Sequence, residues 1–307
     1  MRASFVLLSI ALLVGLAIPA AAQMSEDQIR NGFKNHAAMA QYYRWYQFYE
    51  RPDGGVANAL DILTKDVTIT SGLGTANGHA QYKERVAQLP ATWKNAHHVQ
   101  TAEITQGKDG KMTLAAKIIY QNQGMLPDGA VRQADLNYTV EMVPGEDVLP
   151  LLSNVLIEQD SDTTVTSFQD AYAENRLRSL VHYWLALIED PSRNPEPVQE
   201  ILSDDFSLKF SSGAITDFNG FKAWLAGPAS QVAASTHVIS NFEAKDLGEG
   251  EYTATMDFDW AGITPDGTEL VAKTRHTWTA TNDVNERFAR IKTVDVEVLE
   301  PFRPRGN

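Results

Sequence analysis

Two histidines are the residues of this sequence whose type and placement most favour proton-transfer chemistry. His98 precedes Val99 and His237 precedes Val238, so a His-Val pair occurs twice, roughly 139 residues apart. A neutral imidazole has one hydrogen-bond donor and one acceptor and titrates near physiological pH, which suits it to remove or return a proton. We therefore predict that His98 and His237 are general bases or acids. The alternative is that each is held structurally by a backbone carbonyl.

A tyrosine and a histidine form the second candidate pair. Tyr138 and His276 follow two Pro-Asp-Gly turns at similar distances. Tyr138 shares its strand face with Leu136 and Val140, and His276 shares its face with Thr274 and Trp278. Both side chains could donate a hydrogen bond to a substrate oxygen on which charge develops. A buried polar side chain with a structural partner is the alternative for both.

Aromatic residues are the candidates for ligand contact. Tyr42 and Tyr46 share one face of the first predicted helix, so their hydroxyls could reach a ligand while their rings pack. We predict that Tyr46 assists catalysis by holding the oxyanion. The predicted ligand-binding residues are Tyr42, Trp45, His97, Trp184, Trp260 and Trp278. Packing in a core is the competing interpretation for every one of these rings.

The segments that must position these side chains occur twice in the chain. Matching pairs recur in the same order at an offset near 139 residues, and they are 62–69 with 201–208, Asn77-Gly78 with Asn219-Gly220, and Pro127-Asp128-Gly129 with Pro265-Asp266-Gly267. An ordered series of matches at a constant offset indicates a duplicated domain. We predict a first domain over 35–158, a linker over 159–169 and a second domain over 170–300.

Each copy begins with helical periodicity and ends with strand periodicity. Apolar residues recur at three- and four-residue spacing over 39–49 and again over 177–188, which is typical of an amphipathic helix. Later segments, 112–120 and 252–260, alternate between apolar and polar residues as half-buried antiparallel strands do. Helices followed by a meander of strands predict an α+β fold.

With this order of elements, the sequence resembles the nuclear-transport-factor-2-like superfamily, and within it SnoaL-like and scytalone-dehydratase-like proteins. The segments that carry the resemblance are His97-His98-Val99-Gln100, Thr236-His237-Val238-Ile239-Ser240-Asn241 and Arg290-Ile291. The resemblance covers nearly all of the chain after its first residues. It implies two tandem cone-shaped domains, each with helices packed on a curved, mainly antiparallel sheet (a cystatin-like α+β roll). It also implies a cavity in each cone, with the histidine inside.

One departure from the family counts against an intact catalytic pair. The resemblance leads us to expect an aspartate late in the first helix that orients the cavity histidine. The residues found there are Gln47 and Phe48 in the first copy and Leu187 and Ile188 in the second. Glu50 and Glu189 come later, near the predicted helix ends, where we expect exposure to solvent.

The first 22 residues predict export. Arg2 precedes an apolar run over 5–18, and Pro19 and three alanines then form a signal-peptidase site. We therefore expect a signal peptide over 1–22 and a periplasmic or secreted protein. No later apolar stretch is long enough to span a bilayer, so we predict no membrane partner.

Composition excludes several other classes of function. The net charge is −13, and no cluster of Lys and Arg offers a surface for nucleic acid. The chain has no cysteine, so it forms no disulfide, and it has no His-x-His pattern, so we predict no metal site. We also predict no cofactor.

Two functional hypotheses follow. The first is a cofactor-independent lyase or isomerase that acts on an apolar small molecule, with an aromatic one favoured. The second is a non-catalytic exported carrier or sensor that uses the same cavities. The first copy has more Tyr and His near its expected pocket, so we predict that it is the active one. The second copy would serve as an intrachain partner in a pseudo-dimer, and further homo-oligomers are possible.

Overall fold

The computed structural model describes residues 24–306, which fold into two α+β domains of the same construction. In each domain helices pack on one face of a single curved sheet. This confirms the predicted fold class and the tandem arrangement. The predicted signal peptide over 1–22 lies outside the described residues, so export stays a proposal from sequence.

Residues 24–306 form five α-helices. In the first domain they are α1 (Glu26–Glu50), α2 (Ala57–Leu60) and α3 (Gly78–Ala87), and in the second they are α4 (Tyr172–Glu189) and α5 (Phe218–Ala226). Short 3-10 turns cover Pro52–Gly54, Lys108–Gly110, Glu196–Ile201 and Pro228–Gln231. The start of α1 is fixed by a capping box, in which Ser25 and Gln28 each accept a hydrogen bond from the other's backbone N–H.

In the described part of the chain, thirteen strands form the two sheets. Those of the first sheet are β1 (Leu63–Ser71), β2 (Gly74–Asn77), β3 (Lys94–Gln106), β4 (Met112–Gln123), β5 (Val131–Val143), β6 (Leu151–Gln159) and β7 (Thr163–Val165). Those of the second are β8 (Leu202–Phe210), β9 (Gly213–Ile215), β10 (Ala234–Gly248), β11 (Glu251–Ile263), β12 (Glu269–Thr281) and β13 (Arg290–Pro304).

The two sheets have the same topology. The strand order is β2-β1-β6-β5-β4-β3 in the first and β9-β8-β13-β12-β11-β10 in the second, with β7 added beside β5. Only β1 with β6 and β8 with β13 run parallel, and all other neighbours are antiparallel. Each long strand therefore has one counterpart in the other domain, which allows residues of the two copies to be compared by register.

The predicted domain boundaries remain predictions, and the elements add two facts about them. Helix α1 begins at Glu26, before the proposed start at residue 35. Strand β7 lies inside the proposed linker and pairs with β5, so part of the linker belongs to the first sheet. Within residues 24–306 no helix is long and apolar enough to cross a membrane.

The domains pack on one another through α1 and α4. Small residues at the centre of the contact, Ala37 and Ala40 on α1 and Ser179 on α4, are all buried. Ser179 Oγ donates a hydrogen bond of 2.8 Å to the carbonyl of Ala40, its own counterpart in the repeat. The helices therefore meet near equivalent positions, and the two domains form an intrachain pseudo-dimer.

Helix α1 also crosses the second sheet, and Gly32 marks the closest approach. A Cβ added at Gly32 would collide with the side chain of Thr236 on β10 and would lie 3.3 Å from Glu189 Oε2. A side chain there would thus force α1 away from the second domain.

We expect Gly32→Ala to lower the free energy of unfolding by about 1–3 kcal/mol, because overpacking costs more than the helix propensity that alanine adds. Gly72→Ala is the control, since no atom lies within 4 Å of the added Cβ. It should change stability by less than about 0.5 kcal/mol. Urea denaturation of both variants measures this, and a Gly32→Ala protein as stable as the wild type would contradict the close packing.

Candidate functional site

The first domain contains a cavity of about 760 Å³, open at one side. Its walls are mostly apolar. The polar and aromatic side chains that line it and bear on its chemistry are Trp45, Asn95, His97, Tyr120, Arg132 and Tyr138. A pocket of this size and lining is typical of a small-molecule site.

His97 lies in the cavity wall, and it is bonded to Glu50. Its Nδ1 lies 3.1 Å from Glu50 Oε1, and its backbone N–H donates to the same oxygen at 2.9 Å. Glu50 is the last residue of α1 and His97 lies early in β3, so the end of the helix packs directly over the strand. Both side chains are buried.

The hydrogen bonds around Glu50 assign the tautomer of His97. Glu50 Oε1 accepts from the backbone N–H of His97 and, at 2.9 Å, from Asn175 Nδ2. An oxygen that already accepts two N–H groups acts as an acceptor toward Nδ1 as well, so Nδ1 carries the proton and donates it. The lone pair of His97 is then on Nε2, which has no hydrogen-bond partner among residues 24–306.

Burial shifts the pKa of both members of the pair toward the neutral form. It lowers the pKa of His97 to about 3. It raises the pKa of Glu50 well above the usual range of a carboxyl, although the hydrogen bonds from His97 and Asn175 act in the opposite direction. His97 is therefore uncharged at neutral pH, with Nε2 able to accept a proton.

Three tyrosines pack behind and beside His97. The ring of Tyr46 stacks on the imidazole with 4.5 Å between centroids, and Tyr42 and Tyr138 pack edge-on against Tyr46. The hydroxyls of Tyr42 and Tyr46 are buried without a hydrogen-bond partner, and neither residue lines the cavity. Of the three only Tyr138 reaches the cavity wall. Burial keeps its pKa well above the usual range, so its hydroxyl stays a donor.

The second domain has the same carboxylate–imidazole pair. His237 Nδ1 lies 2.7 Å from Oε1 of Glu189, the last residue of α4. His36 of α1 reaches this pair from the first domain, with its Nε2 3.1 Å from the carbonyl of His237. Burial lowers the pKa of His237 to about 3 and raises that of Glu189 to about 7.

Several core positions of the second domain hold larger side chains than their counterparts in the first. By strand register, Met256, Phe258 and Trp278 stand where the first domain has Ala116, Ile118 and Val140. Trp278 packs edge-on against Trp184 at 6.0 Å, and both rings are buried in the core. The predicted ligand contacts of Trp184 and Trp278 are thus packing contacts in this structure.

His276 occupies the position predicted for it and has structural partners. Met256 opposes His276 as Ala116 opposes Tyr138, so His276 and Tyr138 are counterparts. The ring of His276 bonds to Thr274 Oγ1 at 3.1 Å and accepts from Trp278 Nε1 at 3.3 Å. Both ring nitrogens are therefore used within the strand.

The prediction that His98 faces inward as the counterpart of His237 was wrong by one residue. His97 opposes Tyr120 as His237 opposes Trp260, so His97 is the counterpart. His98 lies on the opposite face of β3, partly exposed, with Nε2 3.1 Å from the carbonyl of Gln169. Successive side chains of a strand alternate, so only one of two adjacent histidines can face the cavity.

The expectation that Glu50 and Glu189 are exposed was also wrong. Both are buried, and they supply the orienting carboxylate that the sequence was predicted to lack. In each case the other domain covers the end of the helix and keeps solvent away from it. Their common offset of 139 residues from one copy to the other was the signal that could have identified them.

The remaining predicted residues lie apart from the cavity or in its wall. Trp45 is in the wall, beside Tyr49. Trp260 is half-buried and packs against Phe302 with 4.9 Å between centroids. His182 of α4 lies in the contact with α1, with Nδ1 2.9 Å from His36 Nδ1. Residues 24–306 contain no group of three or more His, Asp or Glu that could hold a metal ion.

Comparisons with known proteins show a likeness of fold. No family model and no curated protein matches this chain. Hexachlorocyclohexane dehydrochlorinase LinA-type3 from Novosphingobium barchaimii is similar at 11% identity over 44% of this chain and 90% of its own, with a TM-score of 0.38. A nuclear-transport-factor-2-like protein from Salmonella enterica gives 12% identity, 42% and 92% coverage, and a TM-score of 0.37.

An uncharacterized protein with a cystatin-like fold from Caulobacter vibrioides is similar at 18% identity, with 42% and 91% coverage and a TM-score of 0.35. Each match covers under half of this chain and most of its own length.

The buried histidines predict how stability depends on pH. Burial lowers the pKa of five of them from 6.5, and they are His36, His97, His182, His237 and His276. Below about pH 6.5 the unfolded chain binds protons there that the folded chain does not. Glu50 and Glu189, whose raised pKa lets the folded chain hold protons above pH 4.5, offset part of this uptake.

We therefore expect the free energy of unfolding to fall as the pH is lowered from 6.5 to 5, by about 1.4 kcal/mol per pH unit for each net proton. Urea denaturation at several pH values measures the slope. His36→Asn, which installs the residue found at the equivalent position 175, should make the slope shallower by about one proton. Equal or greater stability at pH 5 than at pH 7 would contradict this assignment.

Proposed function

We propose that the first domain is a cofactor-independent lyase or isomerase that takes a proton from an apolar small molecule, with an aromatic one favoured. One observation carries the proposal. His97 lines a cavity of about 760 Å³ while its Nδ1 is bonded to the buried Glu50, which leaves Nε2 for a ligand. A base held in one tautomer by a carboxylate is the usual arrangement for general-base catalysis.

The proton-transfer step uses groups that are already in place. The C–H bond next to a carbonyl or a leaving group breaks, and the proton moves to His97 Nε2. The electron pair moves to the carbonyl oxygen or forms a double bond as the leaving group departs. The imidazolium that forms keeps its Nδ1–H hydrogen bond to Glu50 Oε1, which holds the ring in place during the transfer.

Tyr138 is the group of the cavity that can hold a developing oxyanion. It lines the same cavity as His97 and keeps its proton, because burial raises its pKa. A protonated hydroxyl in an enclosed site stabilises negative charge more strongly than it would in water. Tyr46, which we expected in this role, instead supports His97 by stacking on it.

The apolar lining sets the ligand class. Trp45, Leu136 and Ile157 contribute to the walls and would bury an apolar or aromatic body. Arg132 at the lining is already engaged by Asp162, with Nε 3.0 Å from its Oδ2 and Nη2 2.9 Å from the same oxygen. A ligand would thus meet little unneutralised charge from that side.

A carrier or sensor is the second candidate, and one observation favours it. Burial lowers the pKa of His97 to about 3, and a base with so low a pKa is a weak proton acceptor in the absence of further stabilisation. A carrier would use the same cavity, with His97 Nε2 accepting a hydrogen bond from the bound molecule.

Hydrogen–deuterium exchange at carbon distinguishes the two candidates. We would incubate the full chain in D₂O with a panel of aromatic ketones and aromatic compounds with a leaving group beside an acidic C–H, and follow loss of that proton by NMR. An enzyme should exchange at least one class. His97→Gln should slow exchange by about 10²–10⁴-fold and change affinity by less than about tenfold.

His98→Gln is the matched control, since His98 is adjacent in sequence but lies on the other face of β3. It should exchange protons at the wild-type rate. Tight binding with no exchange in the wild-type protein would favour the carrier. Equal loss of exchange in both variants would contradict the role of His97.

A further inference from the structure

We infer that the second domain completes the His97–Glu50 pair of the first, and that Asn175 of α4 is the positioning residue that does so. This inference rests on the proposed site but not on the type of reaction. It implies that the first domain alone does not hold its own base in the geometry described above.

The contacts of Asn175 join the two halves of the pair. Asn175 Nδ2 donates to Glu50 Oε1 at 2.9 Å and to the backbone carbonyl of His97 at 2.9 Å. One amide group therefore binds the carboxylate at the end of α1 and the strand that carries the imidazole. Asn175 is itself buried, and both N–H donors of its amide are used.

This double contact fixes the geometry that the pair needs. Glu50 Oε1 could approach His97 Nδ1 only if the end of α1 stays at one distance from β3. The end of α1 is also tied to β3 by the backbone N–H of His97, which donates to Glu50, and by Asn95 Nδ2, which donates to the carbonyl of Tyr49 at 2.9 Å. Asn175 adds two bonds from a different helix, and the one to Oε1 restricts the carboxylate in rotation as well as in distance.

The repeat provides an independent reason to assign a role to this position. His36 is the counterpart of Asn175 on α1, and it makes the equivalent contacts in the second domain. His36 Nε2 lies 3.1 Å from the carbonyl of His237 and 3.6 Å from Glu189 Oε1. Two different side chains at one position of the repeat thus reach the same two groups across the interface.

Other charged groups near Glu50 act at longer range. Asp170 raises the pKa of Glu50 and His98 lowers it, both through charge. Asp170 is itself paired with Arg51 at 2.8 Å. Neither Asp170 nor His98 makes a hydrogen bond to the carboxylate, which leaves Asn175 as the side chain outside the pair that bonds to it directly.

The test is NMR of the full-length protein with labelled histidine and glutamate, comparing Asn175→Ala with two controls. In Asn175→Ala we expect the pKa of Glu50 to rise by about one unit or more and the imidazole of His97 to sample both tautomers, because a donor to the carboxylate is lost. The His237 signals should not move. In His36→Ala the His237 signals should move and the His97 signals should not.

Ser179→Ala is the second control, because Ser179 bonds across the same interface to Ala40 and touches neither pair. It should leave both histidines unchanged. If Asn175→Ala does not fold, Asn175→Asp replaces the amide with a nearly isosteric carboxyl. Two carboxyls at this distance cannot both ionise, so the apparent pKa shared by Glu50 and the introduced carboxyl should rise further.

A measurement on the wild type removes the dependence on variants. The side-chain N–H protons of Asn175 should shift in step with the titration of Glu50. The inference is overturned if the chemical shifts of these protons do not change during that titration, or if His97 keeps its tautomer in folded Asn175→Ala. Absence of carbon-proton exchange in the wild type would contradict the proposed enzyme but leave these NMR results unaffected, so the two failures can be told apart.

Discussion

The hydrogen bonds that converge on Oε1 of the buried Glu50 organise the first domain, whereas its Oε2 has no hydrogen-bond partner within residues 24–306. Removing a polar oxygen from water is costly, and donors offset that cost only if they are held in place. The backbone and ring of His97 supply two of the three donors to Oε1, and Asn175 supplies the third. The tautomer of His97, the availability of Nε2 and the docking of the two domains therefore depend on one oxygen atom.

Both domains have this arrangement of carboxyl and imidazole, but their interiors differ. Both domains end their first helix with a buried glutamate bonded to a histidine, and each pair is contacted by the other domain's helix. The first interior contains a cavity lined by His97 and Tyr138, whereas the second is packed with Phe258 and Trp278. In a pseudo-dimer of this kind, one domain can support the assembly while the other becomes specialised for binding a ligand.

Sequence patterns predicted the fold because the repeat and the change from helical to strand periodicity are properties of many residues together. They did not place single side chains reliably. Between His97 and His98, alternation says that the two face opposite sides, but nothing local says which side is the cavity. Glu50 and Glu189 were misplaced because exposure at a helix end is a local expectation, and here the other domain covers that end. Tyr138, Trp45 and His97 were identified by type and lie in the cavity wall.

The proposed site depends most directly on His97 Nε2 being the free acceptor in an apolar cavity. A crystallographic screen of aromatic fragments tests this, because it shows where small molecules bind without requiring that the substrate be known. We expect fragments inside the first domain, with a donor group within hydrogen-bond distance of His97 Nε2 and rings against Trp45 and Tyr138. Fragments bound only elsewhere, or a His97 whose Nε2 is satisfied by the protein itself, would contradict it.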